Sequence, residues 1–524
     1  MGVTTDQALT TRSGIELAAA IAQGEISALE AVEAHIARIE QVNPAINAVV
    51  VKRYDAARAE ACAADERHAR GEPLGPLGGV PVTIKESLDL AGTPTTFGLP
   101  SRANTPMTSD DVYVARLRAA GAIILGKTNV SQLLIYTEAD NPVYGRTNNP
   151  WNLERSPGGS SGGQGAIIAA GASPLGLGTD IGGSIRVPAA FCGIAGLRPT
   201  AGRTPDAPSF GLMSGQRAIV SQVGALARTV ADVALTTEII NGGRNPQSEP
   251  PMPLGDYTSV DVAKLRVAYY TDDGSFPVAA SVRRAVVEAA GALAGRGAQV
   301  TEWRPPEIET VMRIFFGVLS ADGGKGAIEA LGKDARDKRV ASLLLLATAP
   351  RPLLAALAGA LRLGGQRNLP RLMGYFGYKD TDHYWKLIEA QMAYLKRFAH
   401  ALDTDDGGPF DVIISPAWAL PAIPHGATQD LVTAGAYAII HNVTGYPAGV
   451  VPVTRVRPED EQPRKAGADS MQKAARRTEM GSAGLPVGVQ VTARPWREHM
   501  ALAAMQAIEE AMRSHEDYPT IAPL

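Results

Sequence analysis

Cysteine is scarce in this chain. Among 524 residues only Cys62 and Cys192 occur, and no Cys-x-x-Cys pair is present. This scarcity excludes a disulfide framework and a zinc site built on cysteine. We therefore expect a reducing compartment and no bound metal.

A targeting segment and a strong charge of either sign are also missing. Residues 1–25 contain neither a basic segment followed by an apolar core nor an apolar run long enough to span a bilayer. The net charge of −3 argues against a nucleic acid partner, because the phosphate backbone requires a basic face. The sequence is thus typical of a cytoplasmic protein.

The residues that are present suit a large core, since 45% are hydrophobic and 20% are charged. Strand-like apolar runs alternate with helical stretches, which predicts an α/β fold on a mixed or parallel sheet. The strand-like runs lie at 80–84, 122–125, 266–270, 412–414 and 449–453, and helices are expected at 281–294 and 384–402. Residues 246–253 are interpreted as an exposed connection and the charged residues 457–481 as a surface insertion.

One motif imitates a nucleotide site. The sequence GAIILGKT at 121–128 matches the pattern G-x4-G-K-[ST]. Its variable positions form a strand-like run, whereas a phosphate-binding loop needs a flexible turn there. We interpret Lys127 as a structural residue at a strand end.

Histidine is absent from residues 156–200, a stretch that frames Ser160 and Ser184 in glycine. A serine hydroxyl is a weak nucleophile unless a base stands beside it. Lys85 is the candidate base because it ends the apolar run 80–84, where burial would favour its neutral form. The alternative for a lone lysine at this place is a solvated charge at the end of a strand.

The run GTDIGGS at 178–184 supplies a second element of a catalytic site. Consecutive backbone N–H groups in a glycine-rich turn can converge on one oxyanion. A flexible linker is the competing interpretation, but apolar segments continue the chain on both sides of this run. We favour an oxyanion hole.

These residues resemble the amidase signature hydrolases. The motifs that carry the resemblance are GGVPVTIKE at 78–86, GKTNVSQ at 126–132, NPWN at 149–152, the whole of 156–200, YPAGVVPVT at 446–454, GLPVGVQV at 484–491 and RPWRE at 494–498. The resemblance covers nearly the full chain. It implies a single domain over residues 1–524 with a core signature at 78–200, a large mixed β-sheet covered by helices on both faces, and no cofactor.

The resemblance also implies the roles of individual residues. Ser184 matches the nucleophile, Ser160 the bridging serine that follows a cis peptide, and Lys85 the base of a Ser–cisSer–Lys triad. The oxyanion hole would consist of backbone amides, and nearby polar side chains would support the loop. The implied amides are those of Ile181, Gly182, Gly183 and Ser184, and the supporting residues are Ser161, Asp180 and Arg186.

Within the family the chain is most similar to fatty acid amide hydrolases, through HYWKLIEAQMAYLKRFAHALD at 383–403 and HNVTGYPAGVVPVT at 441–454. That branch lines its acyl channel where this chain has Leu133, Leu134 and Ile135. Residues 340–378 are rich in leucine and arginine and lack acidic residues, which is typical of a cap that contacts lipid peripherally. A buried helix pair or a homodimer face remains an alternative for this segment.

The sequence thus predicts an amidase that cleaves N-acyl amides with a hydrophobic acyl group through an acyl-enzyme. Two other functions stay open: the glutamine-hydrolysing subunit of an aminoacyl-tRNA amidotransferase, and an amidase for small or aryl amides. A catalytically silent binding protein is disfavoured because Lys85, Ser160 and Ser184 are all present.

Overall fold

A computed structural model describes residues 5–204, 215–243 and 250–524. The helices are α1 Thr5–Thr11, α2 Gly14–Ala22, α3 Ala28–Ile46, α4 Tyr54–Ala69, α5 Val112–Ala119, α6 Gly162–Ala169, α7 Arg186–Cys192, α8 Val230–Ile239, α9 Ala280–Gly295, α10 Ile308–Leu319, α11 Lys325–Leu331, α12 Lys338–Thr348, α13 Arg351–Leu363, α14 Asn368–Met373, α15 Thr381–Thr404, α16 Ala436–Thr444, α17 Ser470–Glu479 and α18 Glu498–Met512. The strands are β1 Val49–Lys52, β2 Pro81–Lys85, β3 Ile123–Thr128, β4 Asp140–Asn141, β5 Gly145–Arg146, β6 Leu175–Asp180, β7 Ala195–Arg198, β8 Gln222–Ala227, β9 Arg266–Tyr269, β10 Gln299–Glu302, β11 Val412–Pro416, β12 Ala448–Arg455 and β13 Pro486–Ala493.

Eleven strands of the described chain form one mixed sheet in the order β1-β3-β2-β6-β8-β7-β12-β13-β11-β9-β10. The neighbours of β2 run parallel to it, whereas β6, β8 and β7 pair in antiparallel fashion. Every residue of β2, β6, β8 and β13 is buried. Because successive side chains point to opposite faces, both faces of the sheet are covered. The predicted α/β fold is confirmed.

The strand-like runs and the two expected helices appear as β2, β3, β9, β11, β12, α9 and α15. Of the exposed connection 246–253, residues 246–249 lie outside the described residues, and residues 250–253 are exposed and form neither helix nor strand. The charged segment 457–481 includes α17, which buries Met471, Ala474 and Ala475. This helix is amphipathic, and its apolar face packs on the core although its composition is strongly charged.

Residues 340–378 fold into α12, α13 and α14, with breaks at the prolines and glycines of the segment. In the described ranges no single helix is long and apolar enough to cross a bilayer. Within those ranges, α12 and α13 reach that length and composition when they are taken together, and they are bent by 111° relative to each other.

Candidate active site

The ends of two parallel strands bring the predicted base and the glycine-rich turn together. Strand β2 ends at Lys85 and strand β6 ends at Asp180, and the register pairs Ile84 with Leu177. The carboxyl ends of parallel strands meet at one edge of a sheet, where loops can build a site. Ser160 and Ser184 lie in the loops before α6 and after β6 at this edge.

Lys85 is fully buried and is held by two hydroxyl groups. Its Nζ donates to Ser160 Oγ at 2.7 Å and to Thr179 Oγ1 at 2.7 Å. Burial lowers the pKa of Lys85 from 10.5 to about 7, although the negative charges of Asp180 and Glu86 oppose the shift. A substantial fraction of Lys85 is therefore neutral near pH 7 and able to accept a proton.

Ser160 and Ser184 face the same cavity. The Gly159–Ser160 peptide bond is cis, and the Ser161 N–H donates to the Ser184 carbonyl at 3.2 Å. Gly159 packs so closely that a Cβ there would lie 2.5 Å from the backbone nitrogen of Glu138. The glycine before Ser160 is therefore required by close backbone contact.

The glycine-rich turn after β6 differs from the prediction at one amide. The Gly183 N–H donates to Asp180 Oδ1 at 2.8 Å, so it points away from the cavity. The backbone N–H groups of Ile181, Gly182 and Ser184 make no such bond within the described chain. These amides remain available to an oxyanion, and the φ of 107° at Gly183 permits the turn.

Asp180 and Arg186 form a buried pair that fixes this turn. Arg186 donates through Nε and Nη2 to both carboxylate oxygens of Asp180 at 3.0 Å. Asn442 also donates to Asp180, and Arg198 lies 3.9 Å away. Although burial opposes ionisation, the arginines lower the pKa of Asp180 well below its ordinary value. Asp180 therefore stays ionised and holds the turn through its hydrogen bonds to the Gly183 and Ile185 N–H groups.

The sequence did not single out several residues that complete this network. Thr179 holds Lys85, and Gln490 accepts from Arg186 at 2.6 Å. The signal for Asn442 and Gln490 was present as polar residues within apolar stretches of the C-terminal half. Ser161 is a predicted supporting residue, and its Oγ accepts a hydrogen bond from the Thr179 N–H at 3.4 Å.

Lys127 lies within β3 and serves the structure. Its Nζ donates to the Pro94 carbonyl at 2.6 Å and to Thr95 Oγ1 at 2.8 Å. Burial lowers the pKa of Lys127 to about 8, although the negative charge of Glu86 nearby opposes the shift. The segment 121–128 therefore contains a strand where a nucleotide site would need a loop.

An apolar cavity of about 280 Å³ leads away from the two serines. Leu133, Leu134 and Ile135, the predicted channel residues, line it. Leu133 and Leu134 have backbone φ values of 56° and 60°, which residues other than glycine rarely adopt. Such backbone is typical of functional sites, where the surroundings hold it in place. The other apolar residues of the lining include Phe315, Phe316, Leu319, Leu343, Leu346, Leu372, Phe376, Trp418 and Ile439.

The segment 340–378 has one face on this cavity and another exposed. Leu343, Leu344 and Leu346 of α12 line the cavity, whereas Leu345 is 66% exposed and Leu363 is 94% exposed. Arg371, one of the arginines of this segment, pairs with Glu309. The segment is thus a cavity wall with an apolar outer surface.

The chain is similar in sequence and in overall structure to proteins of one family. A family model described as Amidase matches residues 30–502. The chain is 35% identical to fatty-acid amide hydrolase 1 of Sus scrofa, over 95% of this chain and 85% of the relative. It is 32% identical to a glutamyl-tRNA(Gln) amidotransferase subunit of Acidothermus cellulolyticus, over 96% of this chain and 95% of the relative. A solved fatty acid amide hydrolase superposes with a TM-score of 0.82 at 25% identity and covers 97% of this chain and 86% of its own.

Proposed function

The chain belongs to the amidase signature family and is an amide-hydrolysing enzyme, and we propose that its substrates are N-acyl amides with a long apolar acyl group. The products would be a carboxylic acid and an amine or ammonia. The observation that carries the proposal is the buried Lys85, which is hydrogen-bonded to Ser160, a residue that lines the apolar cavity.

In the proposed mechanism neutral Lys85 accepts the proton of Ser160, which accepts the proton of Ser184 as its Oγ attacks the amide carbonyl. The amides of Ile181, Gly182 and Ser184 stabilise the oxyanion. The C–N bond then breaks, and Ser160 returns a proton to the leaving nitrogen. Water attacks the resulting Ser184 ester by the same route in reverse and releases the acid.

The cavity lining supports an apolar acyl group over glutamine. Leucine and phenylalanine side chains dominate its walls, and burying a methylene group there contributes about 0.8 kcal/mol. A glutamine side chain would need polar partners along the same walls. The similarity to the amidotransferase relative keeps glutamine hydrolysis as the alternative function, and small or aryl amides as a third.

We expect activity to rise with acyl chain length. In a series of N-acyl amides that share one leaving amine, kcat/KM should increase by about threefold to fourfold per added methylene while the chain stays in the cavity. The measurement is product formation by mass spectrometry from the acetyl to the long-chain compound. The gain should stop when the chain exceeds the cavity.

Glutamine and an aryl acetamide serve as the comparison substrates in the same assay. A higher kcat/KM for glutamine than for every long-chain amide would replace the proposal by the amidotransferase alternative. A higher kcat/KM for the aryl acetamide would favour the third function.

The outer face of α12 and α13 is the proposed contact with a lipid surface. Leu345, Leu353 and Leu357 are exposed on these helices, and Arg351 and Arg362 of α13 are exposed as well. A helix pair that exposes both leucines and arginines suits the boundary between headgroups and acyl chains. The contact would be peripheral and would place the substrate's source beside the cavity wall.

Changing Leu345, Leu353, Leu357 and Leu363 together to serine is expected to reduce co-sedimentation with anionic liposomes several-fold, because the change removes apolar area from the binding face. A matched variant, Val287→Ser with Met480→Ser, changes exposed apolar residues elsewhere and should bind as the parent does. Equal binding of both variants would contradict lipid contact here. A loss of dimer mass in sedimentation, without a change in liposome binding, would assign the face to a homodimer.

A further inference from the structure

Arg339 stands at the start of α12 and carries a charge that the mechanism does not use. It is 3% exposed and pairs with Glu138 at 3.1 Å, Asp140 at 2.6 Å and Asp337 at 2.7 Å. Its guanidinium also lies over the Tyr136 ring, 4.5 Å from the centroid. Only a planar group with several N–H donors can satisfy these partners at once.

Glu138 links this cluster to Thr428, which also lines the cavity, and to the loop that contains Ser160. Its carboxylate accepts from the Gly426 N–H at 2.8 Å and from Thr428 Oγ1 at 2.7 Å. The backbone of Glu138 is the surface against which Gly159 packs, directly before Ser160. The Arg339–Glu138 pair therefore joins the start of α12 to the backbone that packs against Gly159.

The helix that Arg339 begins is also the cavity wall. Val340 and Leu344 pack with Leu133 and Tyr136 in a small apolar cluster. Farther along α12, Leu343 and Leu346 line the cavity. A displacement of the first turn of α12 would therefore move the wall that faces an acyl chain.

The charges explain why the loss of Arg339 alone would disturb this contact. Three carboxylates, those of Glu138, Asp140 and Asp337, meet a single guanidinium, so its removal leaves like charges close together in a poorly hydrated place. A second tie between α12 and the rim is the bond from Ser342 Oγ to Gln429 Oε1 at 3.0 Å. This neutral bond is at the solvent edge and is weaker than the ion cluster.

We infer that Arg339 is a positioning residue that fixes α12 against the catalytic loop and so sets how tightly the site holds a long acyl group. The inference rests on the proposed function, because it concerns the same cavity. A short acyl group reaches the serines without using the wall, whereas a long one depends on it.

The test compares Arg339→Gln with Arg336→Gln, which removes the same charge from an exposed position three residues earlier. Steady-state kinetics are measured with a long-chain and an acetyl amide of one amine. For Arg339→Gln, KM for the long-chain amide should rise about tenfold, while kcat for the acetyl amide stays within about twofold. Arg336→Gln should change neither. Arg339→Lys keeps the charge without the planar fork and should restore KM in part.

Hydrogen–deuterium exchange provides a readout that does not need activity. The amides of residues 340–348 should exchange faster in Arg339→Gln, and to a smaller degree in Arg339→Lys, than in the parent or Arg336→Gln. Unchanged exchange in both Arg339 variants would overturn the inference, as would equal loss of kcat on both amides at unchanged KM. If the parent cleaves neither amide, the proposed function fails, and the exchange result alone decides whether Arg339 holds α12. If Arg339→Gln does not fold, Arg339→Lys decides by the same criteria.

Discussion

Replacing Ser184 by alanine is expected to lower kcat/KM for any amide that the enzyme cleaves by about 10⁴-fold or more, because no other hydroxyl takes over the attack. Ser160 lines the same cavity as Ser184, but its hydroxyl is hydrogen-bonded to Lys85. The measurement is product release under saturating enzyme, with far-ultraviolet circular dichroism to establish that the variant is folded.

Ser87→Ala is the matched control for this loss. Ser87 is buried two residues after the end of β2, and its hydroxyl has no hydrogen-bond partner in the described structure. Its removal therefore deletes a buried serine Oγ without breaking a hydrogen bond and should leave kcat/KM near that of the parent. Activity in Ser184→Ala comparable with Ser87→Ala would remove Ser184 from the role of nucleophile.

Replacing Lys85 by methionine is expected to lower kcat/KM by about 10³-fold at neutral pH, since it removes the general base and keeps an apolar chain of similar length. In the parent, kcat/KM should rise with pH through about 7, because burial lowers the pKa of Lys85 to that value and only the neutral amine accepts a proton. The pH profile of the methionine variant should lack this rise.

Lys127→Met is the control for the pH profile. Lys127 is a second buried lysine with a lowered pKa, at the end of the neighbouring strand. Whatever activity this variant retains should still rise through about pH 7. The same rise in Lys85→Met would contradict the assignment of Lys85 as the base.

Lys85 also has a predictable effect on stability. Its folded-state pKa lies below its ordinary value of 10.5, so between about pH 7 and 10.5 the unfolded chain binds more protons than the folded chain. The contribution of Lys85 to the free energy of unfolding therefore rises with pH across this window and is unfavourable below it. A lysine kept here at such a disadvantage is typical of a functional site.

The fold was predictable where local patterns and burial agree. The apolar runs that became β2, β3, β11 and β12 are typical of strands because β-branched residues fill them and turns or helices bound them. The burial of Lys85 was predictable because a strand that is buried on both faces also buries the residue that ends it. The sheet order was not predictable, since it depends on pairings between distant segments.

The sequence did not predict those features of the candidate site that depend on contacts between distant parts of the chain. The Gly183 N–H donates to Asp180 only because the Asp180 side chain is held in place. Arg186 and Asn442 hold it there through their own hydrogen bonds. Arg339 was not recognised because its carboxylate partners, apart from Asp337, lie about two hundred positions earlier in the sequence. Leu345 and Leu346 are adjacent and equally apolar, yet one is exposed and the other lines the cavity.

The most direct test of the central claim is the location of the acyl group during turnover. The enzyme is quenched with acid while it hydrolyses a long-chain amide, digested with trypsin and sequenced by mass spectrometry. Residues 156–186 form one tryptic peptide that contains both Ser160 and Ser184, so fragment ions distinguish the two. We predict the acyl mass on Ser184 in the parent and its absence in Ser184→Ala. An acyl group on Ser160, or on a residue outside this peptide, would contradict the account.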